Sequence, residues 1–431
     1  MNITEAFSDV SLVLPKHSAG ESSKACPSDE ASEQLSTQIA DSLAAVEALR
    51  PIWMQWTQNL NTDLDYYLDI LNSDSTILHP YVITVYQRGI PQALLVGRIR
   101  KCRVSTIVSS VHIRGPKAKV LEVIAGGRMG RRSVAIDKLL ALRLRNALRE
   151  GGVDLLCFQR LPLQSELFRE IQAVPGLLMK HRVPHTFCYS VVPLTAPQGK
   201  RPRALAGKNR REVRRKTRIL QRAFPDKVRF QCFSDPAELE TGLRDAAAVR
   251  LTTWQRHLDG CTPGTVYDSQ KLAFCANRGW LRIFVMYVEE SPVAFLVGQH
   301  HQQTFYCQHA GYRPDFARYS VGSLLTAWAL ESLAAAGIEH VDLGEGGQEH
   351  NRRLGCDFRQ AGTVHLYSPT LRGLCANIFF AATQAVRMGG REARETLRLN
   401  QLGRIWKDFL NKRWALRPLL DNHGTAIGPR S

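Results

Sequence analysis

Residues 312–325 read YRPDFARYSVGSLL. They follow a short alternating stretch at 304–309 and run into the almost wholly apolar segment 324–336. The first reads as a strand and the second as a buried helix, so the loop between them opens a helix. Ser320 suits the N-cap, and Gly322 lets another group approach the backbone closely. The first helical amides, expected at Gly322, Ser323 and Leu324, then point at whatever sits before them. Such a helix start is predicted to cradle a pyrophosphate, with Arg318 adding charge. Taken alone, the same residues also spell an ordinary capped helix.

Strands are predicted before this loop at 228–233, 281–288, 293–299 and 304–309, and after it at 338–343 and 363–367. Asp235 and Pro236 mark a helix start at about 237. In HVDLGEGG, residues 340–347, Val341 and Leu343 share one face while His340 and Asp342 share the other. A carboxylate at the carboxyl end of a central strand faces the cleft where a sheet opens. Asp342 and Glu345 are therefore acid/base candidates, able to take a proton from an amine or hydroxyl attacking a thioester. His309, ending the preceding strand, is a third. The plainer reading of Asp342 is as partner of a loop amide or an arginine.

A strongly basic helix is predicted over 208–222. It holds Lys208, Arg210, Arg211, Arg214, Arg215, Lys216, Arg218 and Arg222, eight cations in fifteen residues. That density suits an anionic acceptor, an anionic membrane surface or another polyanion. The helix contains no aromatic residue, which removes support for single-strand stacking. A solvated face is the bland alternative.

Residues 1–38 read as a flexible tail, and 39–195 as a first α/β domain. Within it come helices from about 41, strands at 81–90, 94–99 and 153–158, a glycine-basic loop at 126–132 and a helix at 135–150. PLTAPQGKRP, 193–202, has linker composition. The second domain spans 200–370, followed by a helical C-terminal extension over 371–431. Both halves carry a long helix, a glycine and a short strand, as in LREGGVDLLCF and LAAAGIEHVDLG. Placing Gly152 on Gly337 sets Cys157 where Asp342 lies, so the first half lacks the carboxylate.

Composition bounds the function. The 431 residues are 44% hydrophobic and 22% charged, which excludes a mostly disordered chain. The sequence has no run of 18 apolar residues able to span a bilayer. Lys plus Arg number 57 against 39 acids, a net charge of +18 that favours phosphorylated or anionic partners. The ten cysteines form no C-x-x-C pair, and the N-terminus lacks a signal-peptide pattern. A cytoplasmic protein is expected, with peripheral membrane contact open through the basic helix. His181, His185 and Cys188, and the group His300, His301, Cys307 and His309, lack the paired blocks of closed zinc sites, so no metal is expected. A G-x-S-x-G nucleophile elbow is also missing.

The 312–325 block resembles the pyrophosphate loop of GNAT acyltransferases. More broadly, residues 205–355 resemble the acetyltransferase domain of the CelD-like, cellulose-biosynthesis group of that superfamily. KNRREVRRKTRIL, WLRIFVMYVEESPVAFLVG, AGYRPDFARYSVGSLL and GIEHVDLGEGGQEHNRRLG carry the likeness, in family order. The first half resembles the degenerate GNAT-like half that often precedes this domain. The resemblance implies an α/β fold of tandem GNAT-like halves, with mixed central sheets flanked by helices. It implies acetyl-CoA or another acyl-CoA as co-substrate, held by Arg318, Ser320, Gly322, Ser323 and Leu324. The acceptor would be an amine or hydroxyl, on a saccharide or cell-envelope precursor; the cation density of the basic helix makes Arg214 and Arg215 candidates to bind it, together with Arg352. Two positions depart from the pattern. Ser320-Val321-Gly322 replaces Ser-Pro-Gly, and His350-Asn351 replaces a Tyr-Lys pair, leaving Arg352 to supply the charge. A Fem-type transferase using aminoacyl-tRNA, or a non-catalytic binding protein on the same fold, are the alternatives.

Overall fold

The fold is given by a computed structural model that describes residues 35–108, 111–173, 185–195, 207–253, 269–345 and 348–396. The expected tail over 1–34, the linker core at 196–202 and the extension beyond 396 lie outside these residues.

The first half runs β1 (Leu35–Ala40), α1 (Leu43–Glu47), α2 (Arg50–Trp56), α3 (Leu64–Ser73), β2 (Ile77–Gln87), β3 (Ile90–Val108), β4 (Val111–Gly130), α4 (Val134–Arg149), β5 (Leu155–Pro162), α5 (Glu166–Gln172) and β6 (His185–Pro193). The second runs α6 (Gly207–Ala223), β7 (Val228–Phe233), α7 (Leu239–Thr252), α8 (Ser269–Asn277), β8 (Leu281–Val288), β9 (Ser291–His301), β10 (Thr304–Tyr312), α9 (Val321–Ala335), β11 (His340–Glu345), α10 (Gln348–Arg353), β12 (Asp357–Tyr367) and α11 (Leu371–Thr396).

The twelve strands of the described residues join one sheet in the order β1-β2-β3-β4-β5-β12-β6-β11-β10-β9-β8-β7. Among the described residues, only β4·β5 and β10·β11 pair in parallel. The centre is an exchange: β6 follows β5 in the chain but pairs with β11, and β12 follows β11 but pairs with β5. β6 and β12 also pair with each other. The α/β expectation holds, with the two expected sheets fused into one.

The apolar run LRIFVMYV of β8 is buried on both faces, as a strand between two helical layers must be. Phe284 and Met286 pack with Phe305, Val341 and the α9 residues Leu324 and Leu325. Ile283 and Val285 face the other way, toward Ala246 and Val249 of α7 and Leu272 of α8. The first half repeats the plan, with Leu140 and Leu144 of α4 on one face and Trp53, Leu64 and Tyr67 on the other.

Two expectations change. Residues 35–38 belong to β1, an edge strand in register with β2 from Leu35↔Gln87. Its sequence, LSTQIA, is too polar to announce a strand, because its burial is slight. Residues 126–130 are the end of β4 rather than a loop. Their glycines serve close packing: a Cβ on Gly127 would sit 2.7 Å from the Val96 carbonyl oxygen.

Candidate active site

β10 and β11 pair only from Thr304↔His340 to Tyr306↔Asp342. β10 then continues to Tyr312, with a register shift between Cys307 and His309 against β9, while β11 runs on to Glu345. Past Asp342 the two strands have no further ladder, which opens the sheet between them. The chain leaving β10 makes a 3-10 turn, Pro314–Tyr319, and enters α9 through Ser320, whose backbone is left-handed (φ 57°, ψ 37°).

Ser320 is the N-cap, as expected, so the first helical residue is Val321. The Leu324 amide donates to the Ser320 carbonyl at 3.1 Å, so it is committed inside α9, and the Leu324 side chain is buried. The amides left free of any bond among the described residues are those of Val321, Gly322 and Ser323. Ser320 holds the N-cap position but makes no side-chain capping bond. Gly322 leaves the helix start bare, since a Cβ there would meet the Tyr312 ring at 3.0 Å. Arg318 is exposed beside it, its guanidinium 4.7 Å from the Tyr319 ring centre.

Asp342 is nearly buried, and it has both partners of its plainer reading. Oδ1 accepts from the Gly344 amide at 2.8 Å, and Oδ2 accepts from Arg160 Nη2 at 3.0 Å. Arg160 comes from β5, sits at φ 48° and lays its guanidinium 4.2 Å from the Tyr189 ring centre on β6. Both carboxylate oxygens are thus occupied by protein donors, the structural arrangement that the plainer reading expects. A cavity of about 290 Å³ opens here, lined by Asp342, Arg160, Tyr189, Tyr306, Arg359 and Asn59 among others. Burial, with the Asp342 charge second, pushes both the Tyr306 phenol and the Cys307 thiol up to about 12. Cys307 therefore stays a thiol at neutral pH and is no nucleophile.

His309 is half-buried, with Nδ1 3.1 Å from Nη1 of the buried Arg250 on α7. A guanidinium only donates, so Nδ1 accepts and the neutral ring carries its proton on Nε2. Glu345 is exposed at the end of β11, opposite Tyr189.

Residues 207–352 match the family described as acetyltransferase (GNAT) domain. They form a GNAT acetyltransferase domain. FemX shares the fold, with a TM-score of 0.51 at 9% identity over 74% of this chain and 95% of FemX. L-PGS from Bacillus licheniformis (14% identity, 79% of this chain and 96% of that one, TM-score 0.44) is also similar. So is a tandem GNAT protein from the clavulanic acid biosynthesis pathway (9%, 78% and 99%, TM-score 0.43). Comparison with curated proteins returns no match.

The GNAT domain thus contains the α9 cradle, Asp342, Glu345 and His309, together with the basic helix α6. Leu220 anchors α6 in the core, while Arg214 and Arg215 are exposed. Arg215 is held by both oxygens of Glu212, at 2.8 and 2.9 Å. Arg352 is exposed, 6.0 Å from the Phe358 ring centre, and does not line the Asp342 cavity. Asn351 is buried and donates to Ser190 Oγ at 3.1 Å, which explains a neutral residue there: a lysine would bury its charge against β6. The side chains of Lys208, His185 and His350, and all of His181, lie outside the described residues. Among the described residues no cluster of His, Cys, Asp or Glu could hold a metal ion. No described helix is long and apolar enough to cross a membrane.

In the first half, Glu122↔Cys157 is the same ladder step as Tyr306↔Asp342. Burial pushes the Cys157 thiol far up, so it cannot replace the carboxylate. The opening past β4·β5 is nonetheless a cavity of about 430 Å³, reaching from Ser133 and Val134 at the start of α4 to Arg160. Arg128 is anchored there by Asp137 at 2.6 Å. Sequence reasoning missed Arg160 and Tyr189. Only the strand exchange brings them to the GNAT domain, and no local pattern marks either residue.

Proposed function

We propose that the GNAT domain moves an acyl group, most simply acetyl, from acyl-CoA directly to an amine or hydroxyl. The acceptor, by likeness to the CelD-like group, is a saccharide or cell-envelope precursor. The observation that carries this reading is the bare start of α9, with three uncommitted amides beside the parting of β10 and β11. The amides of Val321, Gly322 and Ser323 bind the pyrophosphate, and Arg318 adds its charge. Unpaired backbone groups along the parted strands polarise the thioester carbonyl.

The acceptor approaches from the Asp342 cavity and its nitrogen or oxygen attacks the carbonyl carbon. The carbon–sulfur bond breaks and CoA leaves as the thiolate, later protonated from solvent. Asp342 orients Arg160, so the acceptor's proton goes to Glu345, whose carboxylate has no described partner and faces solvent. His309, on β10 beside the parting, is the remaining acid/base candidate. The high thiol value of Cys307 supports direct transfer over an acyl-enzyme.

Thermal unfolding with acetyl-CoA, set against unfractionated tRNA, tests the donor. A ligand at 100 times its Kd, binding only the native state, raises stability by about 2.7 kcal/mol. A shift with tRNA and none with acetyl-CoA would replace this reading with the aminoacyl-tRNA donor, which the exposed cations of α6 favour. Acetyl-CoA binding without release of CoA thiol to any acceptor would leave a binding protein.

A further inference from the structure

The cavity at Asp342 is built by both halves of the chain. Arg160 comes from β5, Arg359 from β12, Tyr189 from β6, Asp342 from β11 and Tyr306 from β10. The segment before α3 closes it with three carboxamides, those of Gln58, Asn59 and Asn61.

Its charge is unbalanced. Asp342 is the one acid among the lining residues, and Arg160 already neutralises it at 3.0 Å. Arg359, in register with Tyr189, is a second guanidinium with no partner among the described residues. The wall therefore presents one uncompensated positive charge, on a group that cannot lose its proton. Asn59 Oδ1 is buried, with no donor nearby among the described residues other than the Thr62 amide of its own capping box. A carboxamide oxygen has two lone pairs, so it can still take a donor from the ligand. Tyr306 keeps its phenolic proton at neutral pH, its value raised to about 12 by burial, and can donate to a ligand oxygen. Carboxamides, which both donate and accept, match hydroxyls, which do the same.

We propose that this cavity is the acceptor pocket of the transferase, and that its acceptor is a small hydroxyl-rich amine bearing a carboxylate or phosphate. The anion sits on Arg359, and a hydroxyl or amine donates to Asn59 Oδ1. The assignment rests on the acyl-transfer reading for the word acceptor, while the recognition chemistry stands on the cavity alone.

Calorimetric titration of the full chain, without CoA, tests it with three probes: glucosamine, glucosamine 6-phosphate and muramic acid. At least one anionic sugar should bind about tenfold or more tightly than glucosamine, as a charge-assisted contact requires. The phosphate and carboxylate arms show which anion fits. Arg359→Gln should erase the preference, and Arg359→Lys should restore part of it. Equal affinity for all three sugars, binding of none, or a preference that survives Arg359→Gln in a folded protein would each overturn the proposal. Acetyl-CoA is titrated separately. Acetyl-CoA binding without anion preference sinks the pocket and spares the transferase. Arg359-dependent sugar binding without acetyl-CoA binding does the reverse.

Discussion

Arg160 and Asp342 lie 182 positions apart in the chain and meet at 3.0 Å, each on the strand that ends its half's parallel pair. The side chain of Asp342 is 10% exposed and that of Arg160 is 31% exposed, so the pair is only partly screened by solvent. Removing either member leaves the other without its main partner. Asp342→Asn and Arg160→Gln should each destabilise the protein by about 1–3 kcal/mol. The double mutant should cost clearly less than their sum. Chemical denaturation of the four proteins checks this, and additive losses would mean the contact contributes nothing. Turnover should fall in parallel for both variants if Asp342 works through Arg160. A loss of roughly 10²–10⁴ confined to Asp342→Asn would make it the base instead. Cys157→Ala should leave turnover within a few-fold.

The bare start of α9 gives a graded test. Gly322→Ala places a Cβ 3.0 Å from the Tyr312 ring, which is 45% exposed and has room to shift. CoA affinity should fall only a few-fold. Gly322→Asp adds a negative charge among the three free amides and should weaken CoA binding by about 100-fold or more. Calorimetry with circular dichroism as the folding control separates the two. Unchanged CoA affinity in folded Gly322→Asp would place the donor elsewhere, the 430 Å³ opening at α4 being the first place to look.

Burial raises several thiols, Cys307 and Cys275 to about 12 and Cys356 to about 11, from an ordinary value of 9.0. The sign follows from linkage. Below pH 9 neither state ionises, so the stability contribution is complete. Between pH 9 and about 12 the unfolded chain loses thiol protons that the folded chain keeps, and stability falls. Urea midpoints should therefore decline steadily above pH 9. Replacing Cys307 with Ser should flatten part of that decline, and an unchanged slope would show the thiol to be exposed in solution. Turnover near pH 8 should resist N-ethylmaleimide at Cys307.

Much of the second half is legible because its signals are local. β7 and β8 fall where alternation and apolar runs place them, and α9 is announced by its glycine and its apolar length. The free amides are those of Val321 to Ser323 rather than Gly322 to Leu324, because with Ser320 as N-cap the Leu324 amide makes the first bond back into the helix. The left-handed backbone of Ser320 is a separate feature that the sequence does not advertise. The glycines at 126, 127 and 130 misled for another reason: they lie in the end of a strand, where Gly126 and Gly130 take positive φ and all three allow close approach. Asn351 reads as lost chemistry in the sequence and as a buried hydrogen bond in the fold. The Arg160–Asp342–Tyr189 group was beyond reach, because the exchange of β6 and β12 is decided by pairing across the chain.

The basic helix α6 yields the sharpest contrast between neighbours. Arg214 and Arg215 are adjacent and both exposed, yet only Arg215 is clasped by Glu212, whose carboxyl is pushed down to about 2 by that hydrogen bond. Arg214, like the exposed Arg211, Arg218 and Arg222, has no partner among the described residues and is free to meet an anionic partner. If α6 recruits such a partner, Arg214→Glu should raise its apparent KM several-fold. Arg215→Glu should do less, since it also releases Glu212 from its partner. Neither should alter CoA affinity if the α9 amides hold CoA as proposed, because both arginine side chains are exposed and α6 meets α9 through Leu220 instead. Binding through α6 should weaken between low and physiological salt, where exposed charges are screened within ~8–10 Å. The partner is read with vesicles containing phosphatidylglycerol against neutral phosphatidylcholine vesicles, and with unfractionated tRNA. Equal KM for both variants and a flat salt response would assign α6 to packing through Leu220, with its cations merely solvated.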